Sequence, residues 1–183
     1  MPKPKLLLHV CCAPCSTHVI ETLKEDFDIV AYFYNPNIHP IDEYKLRLEN
    51  LKKLDVKSIE GKYDVDAWFR ATRGYENEPE GGRRCELCYR LRMGETAMFA
   101  KDNGYNYFAT TLTTSPYKNA RVINEIGKKL SKKYGVKFYS ADFKERNGFK
   151  KSVELSKKYE LYRQRYCGCV FSKGETPKKS SAK

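Results

Sequence analysis

The sequence predicts an α/β fold: a doubly wound, mainly parallel five-stranded sheet with helices on both faces. Three observations carry this. Short apolar runs alternate with segments of helical period, as in βα units. The first run, Lys5–Val10, is almost wholly apolar, as a strand covered on both faces must be. Turn-forming residues such as Asn35, Pro36 and Pro40 close the runs.

Taken in order, Lys5–Val10 is the first strand, and Ser16 can cap a helix running to about Glu25. Asp28–Tyr34 is the second strand, followed by a helix over Ile41–Leu54 and a short strand at Val56–Ile59. Ala67–Ala71 is a short helical piece before the Gly/Glu/Pro-rich loop Gly74–Gly82. A helix from about Cys85 to Asp102 leads to a strand at Tyr105–Thr111 and the loop Thr113–Asn119. A helix over Ala120–Tyr134 and a strand at Val136–Ser140 precede the loop Asp142–Gly148. A last helix over Phe149–Arg165 ends at Cys167-Gly168-Cys169, so residues 1–172 read as one domain and 173–183 as a disordered basic tail.

In such a sheet, ligands bind beyond the carboxyl ends of the strands, where the strand order reverses. Cys11–Cys15, Thr113–Asn119 and Asp142 all leave strand ends on that rim.

The formal charge of +12, from 35 basic and 23 acidic residues, suits a polyanionic partner, nucleic acid above all. Lys-rich helix faces as ordinary solvated surface account for part of it. No apolar run approaches the ~18 residues of a membrane span. Met1–Lys5 leads into only about five apolar residues, shorter than a signal-peptide core, so a cytoplasmic location is expected.

That placement governs the seven cysteines, which fall into three tight groups: Cys11/Cys12/Cys15, Cys85/Cys88 and Cys167/Cys169. Reduced, clustered thiols point to metal ligation or redox catalysis, not a disulfide framework. Four thiolates suit a [4Fe–4S] cluster or a tetrahedral zinc. The Cys-x-x-Cys pairs lie about seventy residues apart, unlike a compact zinc ribbon, and adjacent cysteines leave one thiol over beside a single metal. An iron–sulfur cluster uses the soft ligands more economically. Cys85 and Cys88 stand one turn apart at a helix start, where anionic sulfur is favoured. From the first group Cys11 and Cys12 are the choice, with Cys12 and Cys15 the alternative by spacing. Cys167 and Cys169 read as a redox-active dithiol able to close a disulfide; a ligand pair is the alternative.

His9 lies in a central strand and reads as a core histidine, while His18 and His39 have no partner in sequence. Asp142 is a candidate proton donor or metal ligand, or the cap of its own turn. Thr113, Ser115 and Tyr117 offer hydroxyls for substrate. Arg163 and Arg165, interleaved with tyrosines, suit phosphate contact and base stacking on a segment that also packs as helix.

Taken together, His9-Val-Cys-Cys-Ala-Pro-Cys-Ser16, Cys85-Glu-Leu-Cys-Tyr-Arg90, Thr110–Tyr117 and Tyr162-Arg-Gln-Arg-Tyr-Cys-Gly-Cys169 resemble the QueH-type epoxyqueuosine reductases. The resemblance implies a fold related to the HUP-like nucleotide-binding folds. It also implies two-electron reduction of epoxyqueuosine to queuosine at the wobble position of tRNA. A [4Fe–4S] cluster on Cys11, Cys12, Cys85 and Cys88, with a further iron beside it and no cobalamin, belongs to the same expectation. Cys167/Cys169 would then be the redox pair. Cys15 and Asp142 are candidates for the second iron or for protonating the leaving oxygen. The expected partners are the anticodon stem-loop of tRNA and an external electron donor, met by a monomer. A sulfur-transfer tRNA-modifying enzyme and a zinc-stabilised RNA-binding domain are the alternatives.

Overall fold

A computed structural model of the chain describes residues 2–174; of the expected tail, 175–183 lie outside the described residues. Five strands, β1 (Lys5–His9), β2 (Asp28–Phe33), β3 (Lys57–Glu60), β4 (Tyr107–Thr110) and β5 (Lys137–Phe138), form one parallel sheet in the order β3-β2-β1-β4-β5. The order reverses at β1, so the crevice of this fold lies beyond the carboxyl ends of β1 and β4.

Side-chain alternation along β1 builds two cores. Leu6 and Leu8 join Val19, Leu23, Tyr44, Leu48 and Leu51 of α1 (Ala13–Leu23) and α2 (Ile41–Leu51) on one face. Leu7 and Phe108 meet Ala97 and Ala100 of α4 (Arg83–Asp102) and Leu130 of α5 (Ala120–Tyr134) on the other. Helices thus cover both faces, as the apolar first strand requires. The remaining helices are α3 (Val65–Thr72), capped by Asp64, and α6 (Gly148–Lys158), which packs on α1.

Several expected boundaries move. Ser16 does not cap α1: the helix starts after Cys12 with Pro14 in its first turn, and the Ser16 hydroxyl donates back to Cys12 O at 2.7 Å. The expected loop after β4 opens as a 3₁₀ turn, Thr111–Thr114, capped by Thr110. The last helix stops at Lys158, seven residues short of Arg165, with Glu160 left-handed at φ 49°. The Tyr159–Tyr166 segment therefore does not pack as helix.

Gly127 sets how closely α5 lies on the sheet edge, because a Cβ there would meet the Phe138 ring at 2.3–2.5 Å. Gly127→Ala should therefore cost about 1–3 kcal/mol in urea unfolding under reducing conditions, the usual penalty of overpacking. A midpoint equal to the parent's would show that Phe138 can move aside freely.

Candidate active site

The carboxyl end of β1 is held in place by polar contacts that leave no titratable chemistry behind. His9 Nδ1 lies 3.1 Å from Thr110 Oγ1 on β4, and its Nε2 lies 3.2 Å from Tyr34 O. Burial depresses the imidazole to about 4, so it is a neutral core histidine, as its strand position predicted. Asn35 Nδ2 donates to Val10 O at 2.8 Å, fixing the next residue of the exit.

Cys11, Cys12 and Cys15 follow, with Cys12 as the N-cap of α1 and Cys15 in its first turn. Hydrogen bonds from Cys12 and Cys15 hold Cys11 well below the usual thiol range, helped by nearby Arg92. The same contact with Cys11, reinforced by burial, pushes Cys12 up and Cys15 up to about 12. One sulfur of the three is thus favoured as the anion, at the positive end of a helix.

Cys85 and Cys88 sit in the first two turns of α4, as their spacing predicted. Burial raises both, Cys85 to about 12. Both feel the charge of Cys167, which the C-terminal segment brings over them. Cys11 and Cys85 pack against the same cluster of Tyr89, Met93 and Leu112.

Three buried cations face these sulfurs. Arg47 and Arg92 are each 1% exposed and Lys118 is 8% exposed. Arg92 interacts with Cys88, Cys11 and Cys167, which hold its guanidinium charged against burial. Its Nη1 donates to Asn35 Oδ1 at 3.2 Å, while its Nε and Nη2 are buried without a hydrogen-bond partner among the described residues. Lys118 Nζ lies 3.6 Å from Cys167 Sγ and 3.9 Å from Glu80 Oε1, and Cys167 chiefly outweighs the burial that would discharge it.

Cys11, Cys15, Cys167, Arg47, Arg92 and Lys118 line an inner cavity of about 50 Å³. Outside it lies a cleft of about 260 Å³ lined by Ser115, Tyr117, Arg163, Arg165 and Tyr166, among others. Cys15, Ser115, Lys118, Gln164 and Cys167 line both, so they form the wall between them.

Four of the five expected substrate contacts thus reach one cleft. Thr113 does not; it is buried and accepts a hydrogen bond from Phe143 N at 3.4 Å. Asp142 caps its own turn through Lys144 N and pairs with Lys144 Nζ at 3.0 Å, lining neither cavity. All seven cysteines are free thiols. Cys167 faces the cleft and Lys118, whereas Cys169 packs with Trp68 and Cys88, so closing a disulfide requires one sulfur to turn. Sequence reasoning passed over Arg47, Arg92, Lys118 and Gln164. Arg92 had a signal: it stands four residues after Cys88 and seven after Cys85, on one helical face.

Comparison with known proteins now decides the family. A sequence model described as "Epoxyqueuosine reductase QueH" matches residues 6–175. The chain belongs to the QueH family of epoxyqueuosine reductases. It is therefore an enzyme of the oxidoreductase class. Relatives named epoxyqueuosine reductase QueH include one from Streptococcus pyogenes, 43% identical over 93% of this chain and 71% of its own length. Another from Thermotoga maritima is 40% identical, covering 91% and 89%, and one from Dehalococcoides mccartyi is 37% identical, covering 94% of each. A predicted subunit of a tRNA methyltransferase from Methanocaldococcus jannaschii shares the fold, with a TM-score of 0.58 at 16% identity over 81% of this chain and 76% of that one. QueH membership favours the reductase reading over the sulfur-transfer enzyme and the zinc-stabilised RNA-binding domain.

Among the described residues, no three His, Cys, Asp or Glu side chains are so grouped that they could hold a metal ion. The donor set nonetheless fits a thiolate-bound, net-negative cluster. Soft thiols gather where two helices begin, and Arg92 holds two unpartnered donors beside them. Arg92→Met, similar in length but uncharged, should accordingly retain much less iron and sulfide after anaerobic reconstitution. Content equal to the parent's would show that the buried charge does not serve the thiols.

Proposed function

We propose that this QueH chain reduces epoxyqueuosine to queuosine at the wobble position of tRNA, drawing two electrons from an external donor. The observation that supports this most is the shared wall: Cys15, Ser115, Lys118, Gln164 and Cys167 separate a thiol-lined inner cavity from an arginine- and tyrosine-lined cleft. Reducing groups and a polyanion's docking groups are one residue layer apart.

A [4Fe–4S] cluster, which Cys11, Cys12, Cys85 and Cys88 would hold, supplies electrons singly, and Cys15 is the candidate to serve a further iron. The chain's own residues do the rest. Arg163 and Arg165 take phosphates, and Tyr117 and Tyr166 offer rings for stacking bases of an opened anticodon loop. Lys118, on the shared wall, donates a hydrogen bond to the epoxide oxygen as its C–O bonds weaken. Asp142 is turned toward Lys144, which leaves Lys118 better placed for this task. The formal charge of +12 gives the complex a steep dependence on salt.

The Cys167/Cys169 dithiol closes the balance. Oxidation to a disulfide releases two electrons and two protons, and removal of one epoxide oxygen as water with formation of the alkene consumes the same number. Gly168, at φ 117°, lies between the two cysteines and gives the backbone the turn that such a closure needs.

Turnover of tRNA bearing epoxyqueuosine, measured anaerobically with the reconstituted chain, tests the reading. The parent should form queuosine. Cys167→Ser and Cys169→Ser should each bind tRNA and keep iron, yet lose turnover with a thiol-based reductant. A strong donor that reaches the cluster directly should restore part of it. No queuosine from the parent would overturn the reaction, and loss of iron in either Ser variant would make the pair ligands instead of a relay.

A further inference from the structure

Between Lys158 and Val170 the described chain has no regular element, yet it carries Gln164 and Cys167 to the wall of the inner cavity. Its backbone carbonyls and amides must find partners elsewhere. Three of them, Tyr162 N, Tyr166 O and Cys167 O, find them on one face of α2.

We propose that Arg47 is a positioning residue that clamps this strap and thereby fixes Cys167 over the thiol site. Arg47 Nη1 donates to Cys167 O at 3.0 Å and Nη2 to Tyr166 O at 3.1 Å, so one guanidinium grips two successive carbonyls. Its Nε donates to Glu43 Oε1 at 2.7 Å, and the other Glu43 oxygen accepts from the Tyr162 hydroxyl at 2.9 Å. Asn50 Oδ1 accepts from Tyr162 N at 2.9 Å. Glu43, Arg47 and Asn50 recur at four and three residues, a single helical face. Tyr166 lies under the guanidinium at 5.5 Å, and His39 N donates to Gly168 O at 2.8 Å, closing the far end.

The fit is close. A Cβ on Gly168 would stand 2.9 Å from Ile38 Cγ1 and 3.2 Å from Arg47 Nη1. The planar fork of arginine is what bridges two carbonyls while pairing with a carboxylate; a lysine ammonium cannot span all three. Gln164, held by the same strap, donates from Nε2 to Cys12 Sγ at 2.9 Å, so the clamp registers two strap residues against the cysteines at once.

A clamp that merely stabilised the fold would be silent in turnover at temperatures well below unfolding. The effect on rate rests on the proposed reaction; the clamp itself does not, and the test separates the two. The full chain is reconstituted anaerobically, and limited trypsin cleavage after Arg163 and Arg165 is followed by mass spectrometry. In Arg47→Met both cuts should come about tenfold faster or more, since cleavage follows local opening. Turnover should fall about 10–100-fold in kcat, with KM for tRNA within about twofold, as for a residue supporting a reactive group. Arg47→Lys should restore charge but not kcat. Strap cleavage at the parent rate, or full recovery of kcat in Arg47→Lys, would overturn the assignment. Should Arg47→Met fail to fold, Tyr162→Phe removes only the hydroxyl that orients Glu43. It should speed the same cuts by a smaller factor, and unchanged cleavage there would overturn the clamp. Faster strap cleavage in a chain whose parent makes no queuosine would uphold the clamp and remove the reaction.

Discussion

The site depends on one electrostatic constraint: buried cations and buried thiols must justify each other. A guanidinium or ammonium removed from water without an anionic partner costs several kcal/mol. Arg92 and Lys118 nevertheless sit within the protein beside sulfur, with few carboxylates to answer them. Glu43 pairs with Arg47, and Glu80 stands 3.9 Å from Lys118, while among the described residues Arg92 hydrogen-bonds an amide oxygen and interacts chiefly with the sulfurs. Thiols that become thiolates, alone or on a cluster, supply the missing negative charge. The same cations then bias the sulfurs towards the ligating and reducing form.

The doubly wound sheet makes this meeting possible. The β1 exit delivers Cys11, Cys12 and Cys15, the β4 exit delivers Ser115 and Lys118, and the start of α4 delivers Cys85, Cys88 and Arg92. The two strand exits need no long loop to meet, because the order reversal at β1 brings them side by side. The strap is the exception: it has no strand or helix to place it, and α2 side chains do so instead. Cys11 and Cys15 from the β1 exit, the three cations, and Gln164 and Cys167 of the strap thus line one small space under the outer cleft.

Much of this was legible in the chain because its signals are local. The apolar run at Leu6–Leu8 gave a doubly covered strand, and the helix expected over Ala120–Tyr134 has those bounds in the structure, where Asn119 caps it and Gly135 ends it left-handed. The cysteine spacing placed Cys85 and Cys88 on one turn. Errors came where tertiary contacts outrank local preference. Tyr159–Arg165 carries helix-compatible residues, but Asn50, Glu43 and Arg47 draw it off as a strap, and Glu160 turns left-handed to allow it. Pro14 marked the first turn of α1, and Ser16, the more familiar capping residue, lies one turn too late. The hold of Arg47 on the strap carried no sequence signal, since Tyr166 and Cys167 lie about 120 residues away.

Diffraction from crystals of the anaerobically reconstituted chain, recorded on both sides of the iron absorption edge, locates iron directly. A cluster held as proposed by Cys11, Cys12, Cys85 and Cys88 should give a compact anomalous peak close to Cys11 and Arg92, beneath the Cys15–Lys118 wall. A peak centred instead among Cys88, Cys169 and Trp68, or zinc in place of iron, would contradict it.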